Sequence, residues 1–142
     1  MRTIKFRGKD VDTGEWVYGY FVGATDNVVI IIPFDKVNYD VGYIGESECC
    51  YCLPETIGQF TRLYDKNGNE IYEGDIIGCH NPSIKHLIFY NEKRGRFMAA
   101  LNGDIENDFV GVCGLDDSRW NASKEVIGNI HDNPELLKGG KE

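Results

Sequence analysis

Short apolar runs separated by turn residues follow one another from the start of the chain. Residues 4–7 and 16–21 are two such runs, and the Asp-Thr-Gly turn at residues 12–14 between them predicts a β-hairpin. Because side chains alternate between the two faces of a strand, the aromatic residues of the second run are predicted to share one face. These residues are Trp16, Tyr18 and Tyr20.

The next runs predict a buried strand and a second hairpin. Residues 28–32 are apolar at every position, which is typical of a central strand, and Pro33 ends the ladder because proline lacks a backbone donor. Residues 59–64 and 70–72 flank the sequence Asp-Lys-Asn-Gly-Asn at residues 65–69. Asn-Gly between β-rich runs is a strong hairpin signal, since glycine adopts a positive φ without steric cost.

The second half of the chain continues this pattern and ends in a short helix. Four more strand-like runs lie at residues 76–80, 86–90, 96–100 and 125–130. Pro134 favours a helix start and Gly139 a helix end, which predicts a helix of about one turn and a half. No longer segment keeps a helical period. The predicted fold is mainly β: a small β-barrel or roll, SH3-like or related, with short hairpins and a short C-terminal helix.

Composition agrees with a folded β protein. The 142 residues include 17 glycines, eight tyrosines and seven phenylalanines, and 42% of the chain is hydrophobic. Glycine averages roughly 7% in ordinary domains, so this content favours tight turns over long helices. We predict one domain over residues 1–142, or two β lobes joined near residues 65–75.

The charge balance narrows the class of partner. The chain has 15 basic and 23 acidic residues, which gives a formal net charge of −8. Proteins that wrap nucleic acid normally present a basic face to the phosphates, so this balance favours a protein partner or self-association. No apolar run approaches the ~20 residues that span a bilayer, and the first ten residues lack the apolar core of a signal peptide. We therefore expect a cytoplasmic protein with no membrane partner.

Three blocks of sequence resemble a known family. Residues 54–77 read PETIGQFTRLYDKNGNEIYEGDII; IKFRGKD and TGEWVYG precede them within residues 4–19, and EVIGNIHDNPELL follows at residues 125–137. In this order the blocks resemble the YopX family of phage and prophage proteins, over the whole chain. Arg62 is a departure, because the family more often has glycine at that position.

The resemblance implies a protein of a mobile element, cytoplasmic in an infected or lysogenic bacterium. It also implies a β-rich fold and self-association, with no assigned molecular activity and no catalytic residue to carry over. The cysteine cluster at residues 49–52 and His131 do not look like family features. A function based on them would belong to this member alone.

A zinc site is the most specific metal chemistry that the sequence offers. Zinc favours two well-spaced ligand pairs, but Cys50 and Cys52 are one residue closer than usual, and adjacent Cys79 and His80 point to opposite faces of a strand. Buried free thiols are the simpler interpretation. We therefore predict no metal and no other cofactor, with Cys79 and His80 as the candidate metal ligands. The wider candidate set is Cys49, Cys50, Cys52, Cys79, His80 and His86.

Sequence motifs for catalysis are absent. The chain contains no Gly-x-Ser-x-Gly elbow, no phosphate-binding P-loop and no dinucleotide fingerprint. Glu73 and Asp75 form a carboxylate pair, but such a pair around a glycine is more typical of a polar turn in which the aspartate bonds nearby amides. We expect no enzyme activity and no catalytic or cofactor-binding residue.

The hairpin predicted over residues 85–97 is the best candidate for partner binding. Its basic side chains alternate with aromatic ones, which suits single-stranded nucleic acid because bases stack and phosphates attract cations. The alternative is a solvated hairpin tip with aromatic residues facing the core, and the overall acidity favours it. Together with one tyrosine of the middle block, the candidate interaction surface consists of Tyr72, Tyr90, Lys93, Arg94 and Arg96.

Three functions are therefore considered, in decreasing order of support. The first is a phage- or prophage-encoded accessory protein, a non-catalytic β module that binds a protein partner or itself. The alternative is a nucleic-acid-binding small β-barrel that uses the hairpin over residues 85–97. The third is a zinc-dependent enzyme or zinc-stabilised fold that uses Cys79 and His80.

Overall fold

A computed structural model describes residues 1–37, 49–79, 81, 83–106 and 124–138. Those residues form ten β-strands and one four-residue α-helix, so the prediction of a mainly β protein with a short C-terminal helix is confirmed. The chain divides into two compact units, Met1–Phe60 and Thr61–Glu142. The division falls just before residues 65–75, where the sequence places a junction between two lobes.

The first unit is one antiparallel sheet with the strand order β4-β3-β2-β1-β5. Its strands are β1 (Phe6–Lys9), β2 (Trp16–Ala24), β3 (Val29–Pro33), β4 (Cys50–Cys52) and the first half of β5 (Gly58–Tyr64). Short 3-10 helices at Phe34–Lys36 and Pro54–Thr56 follow β3 and β4. The predicted first hairpin and central strand are confirmed, and Pro33 is the last residue of β3.

One face of this sheet forms the core of the first unit. A cluster of seven side chains packs there: Val29, Ile31, Cys52, Phe6, Val17, Cys50 and Ile57. At Gly19, β2 approaches β3 so closely that a Cβ atom would overlap the carbonyl group of Ile32. Gly23 of the same strand has no atom within 4 Å of the corresponding position. Only the first of these two glycines is therefore required by the packing of the strands.

The second unit contains a four-stranded antiparallel sheet with the order β10-β7-β8-β9. Its elements are β6 (Glu70–Tyr72), β7 (Asp75–Gly78), β8 (Lys85–Asn91), β9 (Arg96–Leu101), β10 (Glu125–Asn129) and α1 (Glu135–Lys138). The second half of β5 neighbours β6 across the turn at residues 65–69. Gly68 in this turn has a φ of 84°, as the Asn-Gly signal predicts. The two predicted hairpins and the final strand are confirmed.

Two hydrophobic clusters form the core of the second unit. One joins the sheet to β5 and β6 and is built on Ile71, Ile77, Ile88, Met98 and Ala99. The other packs α1 and the loop before it on the opposite side of β7 and β8, through Ile76, Leu87, Ile130, Leu136 and Leu137. The short helix is therefore held by burial of two leucines rather than by its own length. Among the described residues, no helix is long and apolar enough to cross a bilayer.

The sheets are open rather than closed into a barrel. In the described part of the second unit, β9 and β10 are the two ends of the strand order and do not neighbour each other. Closure requires a continuous ladder between edge strands that share one tilt and one shear. The edge strand β4 of the first unit has only three residues, which is too short to supply such a ladder. The β-rich class is right, but the arrangement is two open antiparallel sheets.

Candidate functional site

One face of the first unit's sheet carries a row of cations beside a row of aromatic rings. The register places Arg7 opposite Tyr18 and Lys9 opposite Trp16 across β1 and β2. Directly opposite residues project from the same face, as do residues two positions apart on one strand. The prediction that the three aromatic residues of β2 share a face is therefore confirmed. We call this surface the cation–aromatic face: Lys5, Arg7, Lys9, Trp16, Tyr18 and Tyr20.

Each cation of this face lies over an aromatic ring. The guanidinium carbon of Arg7 is 4.6 Å from the centre of the Trp16 ring, and the Lys9 Nζ is 5.5 Å from the same ring. The Lys5 Nζ is 4.8 Å from the Phe60 ring and 5.6 Å from the Phe34 ring. All four distances lie within the ~6 Å over which a ring face attracts a cation. These contacts fix the positions of the positive charges on the sheet.

The exposed part of the face is mainly tyrosine. Tyr18 is 41% exposed and Tyr20 is 38% exposed, whereas Arg7 is only 5% exposed. The Tyr20 ring packs edge-on against Phe34, with centroids 4.9 Å apart and planes at 83°. Edge-to-face pairs of this kind hold a ring in one orientation. The surface therefore presents the oriented ring of Tyr20 and the exposed ring of Tyr18 beside positive charge.

Strand alternation explains why the sequence builds this face. In residues 5–9 the basic residues occupy every second position, and in residues 16–20 the aromatic residues do the same. The intervening residues, among them Phe6, Gly8 and Val17, turn towards the core, where a Cβ on Gly8 would lie 2.9 Å from the Cβ of Cys52. Sequence reasoning found the aromatic row and missed the cation row, although the alternation of basic residues was a signal for it.

Tyr72 requires a correction, because it does not belong to a surface. It is 2% exposed, and its hydroxyl donates a hydrogen bond of 3.1 Å to Oε1 of Glu70. A buried tyrosine is stable when its hydroxyl finds such a partner. The ring therefore contributes to the interior of the second unit rather than to partner binding.

The other predicted surface residues lie on the hairpin formed by β8 and β9. Tyr90 is 41% exposed, and its ring packs against Phe97 at 5.3 Å. Tyr90 and Lys93 line a cleft of about 590 Å³, together with Glu92 and Glu106 among others. The structure thus brings Tyr90 and Lys93 together beside two acidic residues.

The two arginines of this predicted surface lie elsewhere on the hairpin. Arg94 is exposed in the turn, where its amide donates to the Asn91 side chain at 3.0 Å. Arg96 is half-buried at the start of β9, opposite Asn91. Neither arginine is among the described residues that line the cleft. Whether the hairpin binds a partner stays a prediction.

The cysteines of β4 behave as core residues. Cys52 is fully buried, and burial, reinforced by the neighbouring Cys50 and Asp10, raises the pKa of its thiol to about 11. Burial and Asp10 also raise the pKa of Cys50. Both thiols are therefore protonated at neutral pH, a state in which a thiol is a poor nucleophile and a poor metal ligand.

The structure describes only one of the two candidate zinc ligands, Cys79 and His80. Cys79 is half-buried, and its Sγ lies 3.7 Å from the carbonyl oxygen of Asn81. His80 lies outside the described residues. Within the ranges that the structure describes, no three His, Cys, Asp or Glu side chains are grouped as a metal site would require. The absence of a metal, with Cys79 and His80 as the candidate ligands, stays a prediction.

His86 is a buried titratable group in the middle of the second unit's sheet. It is 9% exposed, between Ile77 of β7 and Leu101 of β9. Among the described residues, none supplies a hydrogen-bond partner to its Nδ1 atom. Burial, and secondarily the charge of Lys124, lower the pKa of His86 below its ordinary value. The side chain is therefore neutral in the folded protein at physiological pH.

Asp65 organises the turn between β5 and β6. Its Oδ1 accepts hydrogen bonds from the amides of Asn67 and Asn69 at 2.9 and 2.8 Å, and its Oδ2 accepts one from Val126 at 2.9 Å. Burial by itself raises the pKa of Asp65, but these bonds favour the charged form and together hold the pKa below its ordinary value. The carboxylate thus ties the turn to the beginning of β10.

A comparison with known protein families identifies the family of this chain. The family model described as YopX protein matches residues 5–138. The chain belongs to the YopX family. A search of curated proteins gave no match.

The YopX-family chain is also similar to a solved structure. The crystal structure of protein EF1440 from Enterococcus faecalis is 26% identical in sequence, with a TM-score of 0.52. The similarity covers 96% of this chain and 99% of that chain. It supports a shared fold along nearly the whole length, and the name of that protein states no activity.

In the middle and last YopX-family blocks, polar side chains form hydrogen bonds with the backbone. In the middle block, the Oδ2 of Asp75, which is 1% exposed, accepts a hydrogen bond of 2.7 Å from the Tyr72 amide. In the last block, the Asn129 side chain accepts from the amides of His131 and Asp132 at 3.0 and 2.9 Å. Arg62 has a φ of 71°, a conformation that glycine adopts readily and other residues rarely do. These blocks therefore encode turns and loop closures.

Proposed function

We propose that this YopX-family chain is a phage- or prophage-encoded accessory protein, cytoplasmic in its host, that acts as a non-catalytic binding module. The observation that carries the proposal is the cation–aromatic face, where Tyr18 and Tyr20 are exposed beside three positive charges. Tyrosine, tryptophan and arginine dominate the energetics of binding surfaces, and the tyrosine and tryptophan rings bury large areas with few rotatable bonds.

The use of the polar residues supports a role without catalysis. Catalytic acids and bases need a pKa near the working pH and access to substrate. Asp65 and Asp75 are buried, and both bond backbone amides. The thiol of Cys52 is buried with a pKa of about 11. These groups are suited to holding the fold rather than to moving protons.

The partner is a macromolecule that presents a surface to the sheet. The net charge of −8 over the whole chain favours a protein or a second copy of this chain, as the sequence predicts. The face alters this balance locally, because residues 1–10 contain four basic residues and a single acidic one, Asp10. Partner binding through the β8–β9 hairpin is the competing assignment.

Native mass spectrometry of three untagged proteins tests the proposal. The intact chain is compared with the double variant Tyr18→Ser, Tyr20→Ser and with a matched hairpin variant, Tyr90→Ser, Lys93→Gln. We expect the intact chain to carry a partner or a second copy, and the hairpin variant to keep it. The face variant should bind the same partner with a dissociation constant at least about tenfold higher.

Circular dichroism and thermal unfolding confirm that both variants are folded. A partner that is lost only from the hairpin variant assigns binding to β8–β9 and overturns the assignment to the face. An intact chain that binds nothing and hydrolyses a substrate overturns the proposal of a binding module.

A further inference from the structure

The spacing of the exposed rings restricts what the cation–aromatic face can bind. Tyr18 and Tyr20 are two positions apart on β2, so their side chains leave the sheet about 7 Å apart. At that separation the rings do not stack on each other, and each presents a surface to a separate planar group. Both are partly exposed, at 41% and 38%. The face thus suits a ligand that carries planar groups in series.

The charges of the face run alongside these rings. Lys5, Arg7 and Lys9 lie on β1 or next to it, and β1 is about 4.8 Å from β2. Arg7 is almost fully buried under Trp16, so it adds positive potential without direct contact to a ligand. Lys5 and Lys9 are partly exposed and can reach one. The matching ligand therefore carries negative charge along one side of its planar groups.

We infer that the cation–aromatic face binds single-stranded nucleic acid, with successive bases on Tyr18 and Tyr20 and the phosphates beside Lys5 and Lys9. This inference rests on the proposed binding function of the same face, and it replaces the protein partner that the overall charge favours with a polyanion, because residues 1–10 contain four basic residues and one acidic residue. Stacking on aromatic rings tolerates every base, because each base has a π face. A duplex is disfavoured, because its bases already stack within the helix and offer no face to a tyrosine.

The face fits such a ligand better than the β8–β9 hairpin does. All hairpin residues from 85 to 97 are described, and Tyr90 is the one exposed aromatic ring among them. A single ring accepts one base and sets no direction for a strand. The cleft beside Tyr90 also contains Glu92 and Glu106, whose charges repel phosphate.

Fluorescence anisotropy with a labelled oligothymidylate tests the inference. The intact chain is compared with Tyr18→Ser, Tyr20→Ser; with Lys5→Gln, Lys9→Gln; and with Tyr64→Ser, a matched control in the second unit that is 48% exposed. A duplex of the same length and a poly-glutamate peptide serve as competing polyanions. Binding is measured between about 50 and 200 mM salt.

We expect the intact chain to bind the single strand at least tenfold more tightly than the duplex or the peptide. The tyrosine pair should weaken binding by about a hundredfold, because each of the two stacked bases contributes roughly tenfold, and Tyr64→Ser should leave it unchanged. The intact chain should show a salt slope of about −1.4, since each of two phosphates on a single strand contributes roughly −0.7. The lysine pair should reduce this slope towards zero.

Three outcomes would overturn the inference. No binding of the single strand is one, equal binding of duplex and single strand is another, and binding that survives the tyrosine pair is the third. If the tyrosine pair abolishes a protein partner or a second copy while no oligonucleotide binds, the proposed function stands and the inference about nucleic acid fails. If the tyrosine pair affects no ligand at all, both fail.

Discussion

In the first unit, cations lie over aromatic rings on a partly exposed sheet face, whereas in the second unit acidic and amide side chains turn inward and bond the backbone. Lys9 over Trp16 exemplifies the first arrangement, and Asp65, with amides of three residues on its two oxygens, exemplifies the second. An exposed cation–π contact contributes roughly 0.5–1 kcal/mol, while a hydrogen bond to a charged group contributes roughly 1.5–3 kcal/mol.

This difference separates residues that stabilise the fold from residues that set the charge and shape of the surface. Removing Asp65 leaves several backbone amides of the second unit without their acceptor, so the loss falls on stability. Removing a lysine of the cation–aromatic face costs little stability and changes the charge that a partner meets. Variants that test the proposed binding function without disturbing the fold therefore belong on the cation–aromatic face.

The largest expected effect is on the stability of the first unit. It tests whether that stability depends on the close approach of two backbone strands rather than on the charged side chains. Gly19→Ala places a Cβ atom against the carbonyl group of Ile32, between β2 and β3. The strands must move apart, and we expect the free energy of unfolding to fall by about 3 kcal/mol. Denaturant unfolding followed by circular dichroism measures the change.

Two further variants serve as controls for Gly19→Ala. Gly23→Ala, on the same strand with open space at its Cβ position, should change the free energy of unfolding by less than about 0.5 kcal/mol. Lys5→Gln, Lys9→Gln should lower it by about 1 kcal/mol. Should the lysine pair destabilise the protein more than Gly19→Ala does, the charges hold the first unit together and the contrast between the units is wrong.

His86 is the exception within the second unit, because its buried Nδ1 lacks a described partner. Burial lowers its pKa in the folded state, so the unfolded chain takes up the proton first as the pH falls. The stabilisation from neutral His86 is complete above the unfolded pKa of about 6.5 and is lost below it, by at most about 1.4 kcal/mol per pH unit. Denaturant unfolding between pH 8 and about pH 5 should show this slope.

The variant His86→Leu isolates this contribution. It keeps an apolar side chain between Ile77 and Leu101, and it should remove most of the pH dependence between pH 7 and about pH 5. His131→Gln, at a half-buried position in the β10–α1 loop, is the matched control and should retain the slope. Identical slopes in His86→Leu and the intact chain would assign the acid sensitivity to other groups.

Local patterns predicted the elements well, because turn residues and strand alternation act over a few positions. Gly14 and Gly68 have φ values of 73° and 84°, and the hairpins form where those glycines predict them. Burial depends on contacts between distant residues, and here prediction failed. Tyr72 was predicted to be part of the interaction surface, yet packing leaves it only 2% exposed.

Only one of the two rows of the candidate site could be predicted from the sequence, because local patterns do not show which strands pair. The aromatic row of β2 follows from alternation within one strand. The cation row becomes part of a site only when β1 pairs with β2 in the observed register, which places Arg7 beside Tyr18. Overall charge concealed it, because a sum of −8 says nothing about how four basic residues are grouped at the start of the chain.

The smallest expected effect concerns Arg62, the second residue after the division between the units. Its neighbour Thr61 donates a hydrogen bond to the carbonyl oxygen of Ile71 at 2.7 Å and accepts one from the Leu63 amide at 3.2 Å, and Arg62 itself has a φ of 71°. Arg62→Gly removes roughly 1 kcal/mol of backbone strain, and the greater entropy loss of glycine offsets part of it. We expect the free energy of unfolding to rise by about 0.5 kcal/mol, measured by denaturant unfolding.

Two further variants, at positions 62 and 66, test whether relief of backbone strain causes the stability gain of Arg62→Gly. Arg62→Val should lower the free energy of unfolding by about 1 kcal/mol, because a β-branched residue tolerates a positive φ least. Lys66→Gly, at an exposed turn position without a positive φ, should also lower it, by roughly 0.5 kcal/mol. If both glycine variants lose stability equally, the arginine side chain contributes contacts that outweigh the strain. The order glycine, arginine, valine at position 62 would instead show that β5 turns there through its backbone, as a glycine in the family pattern implies.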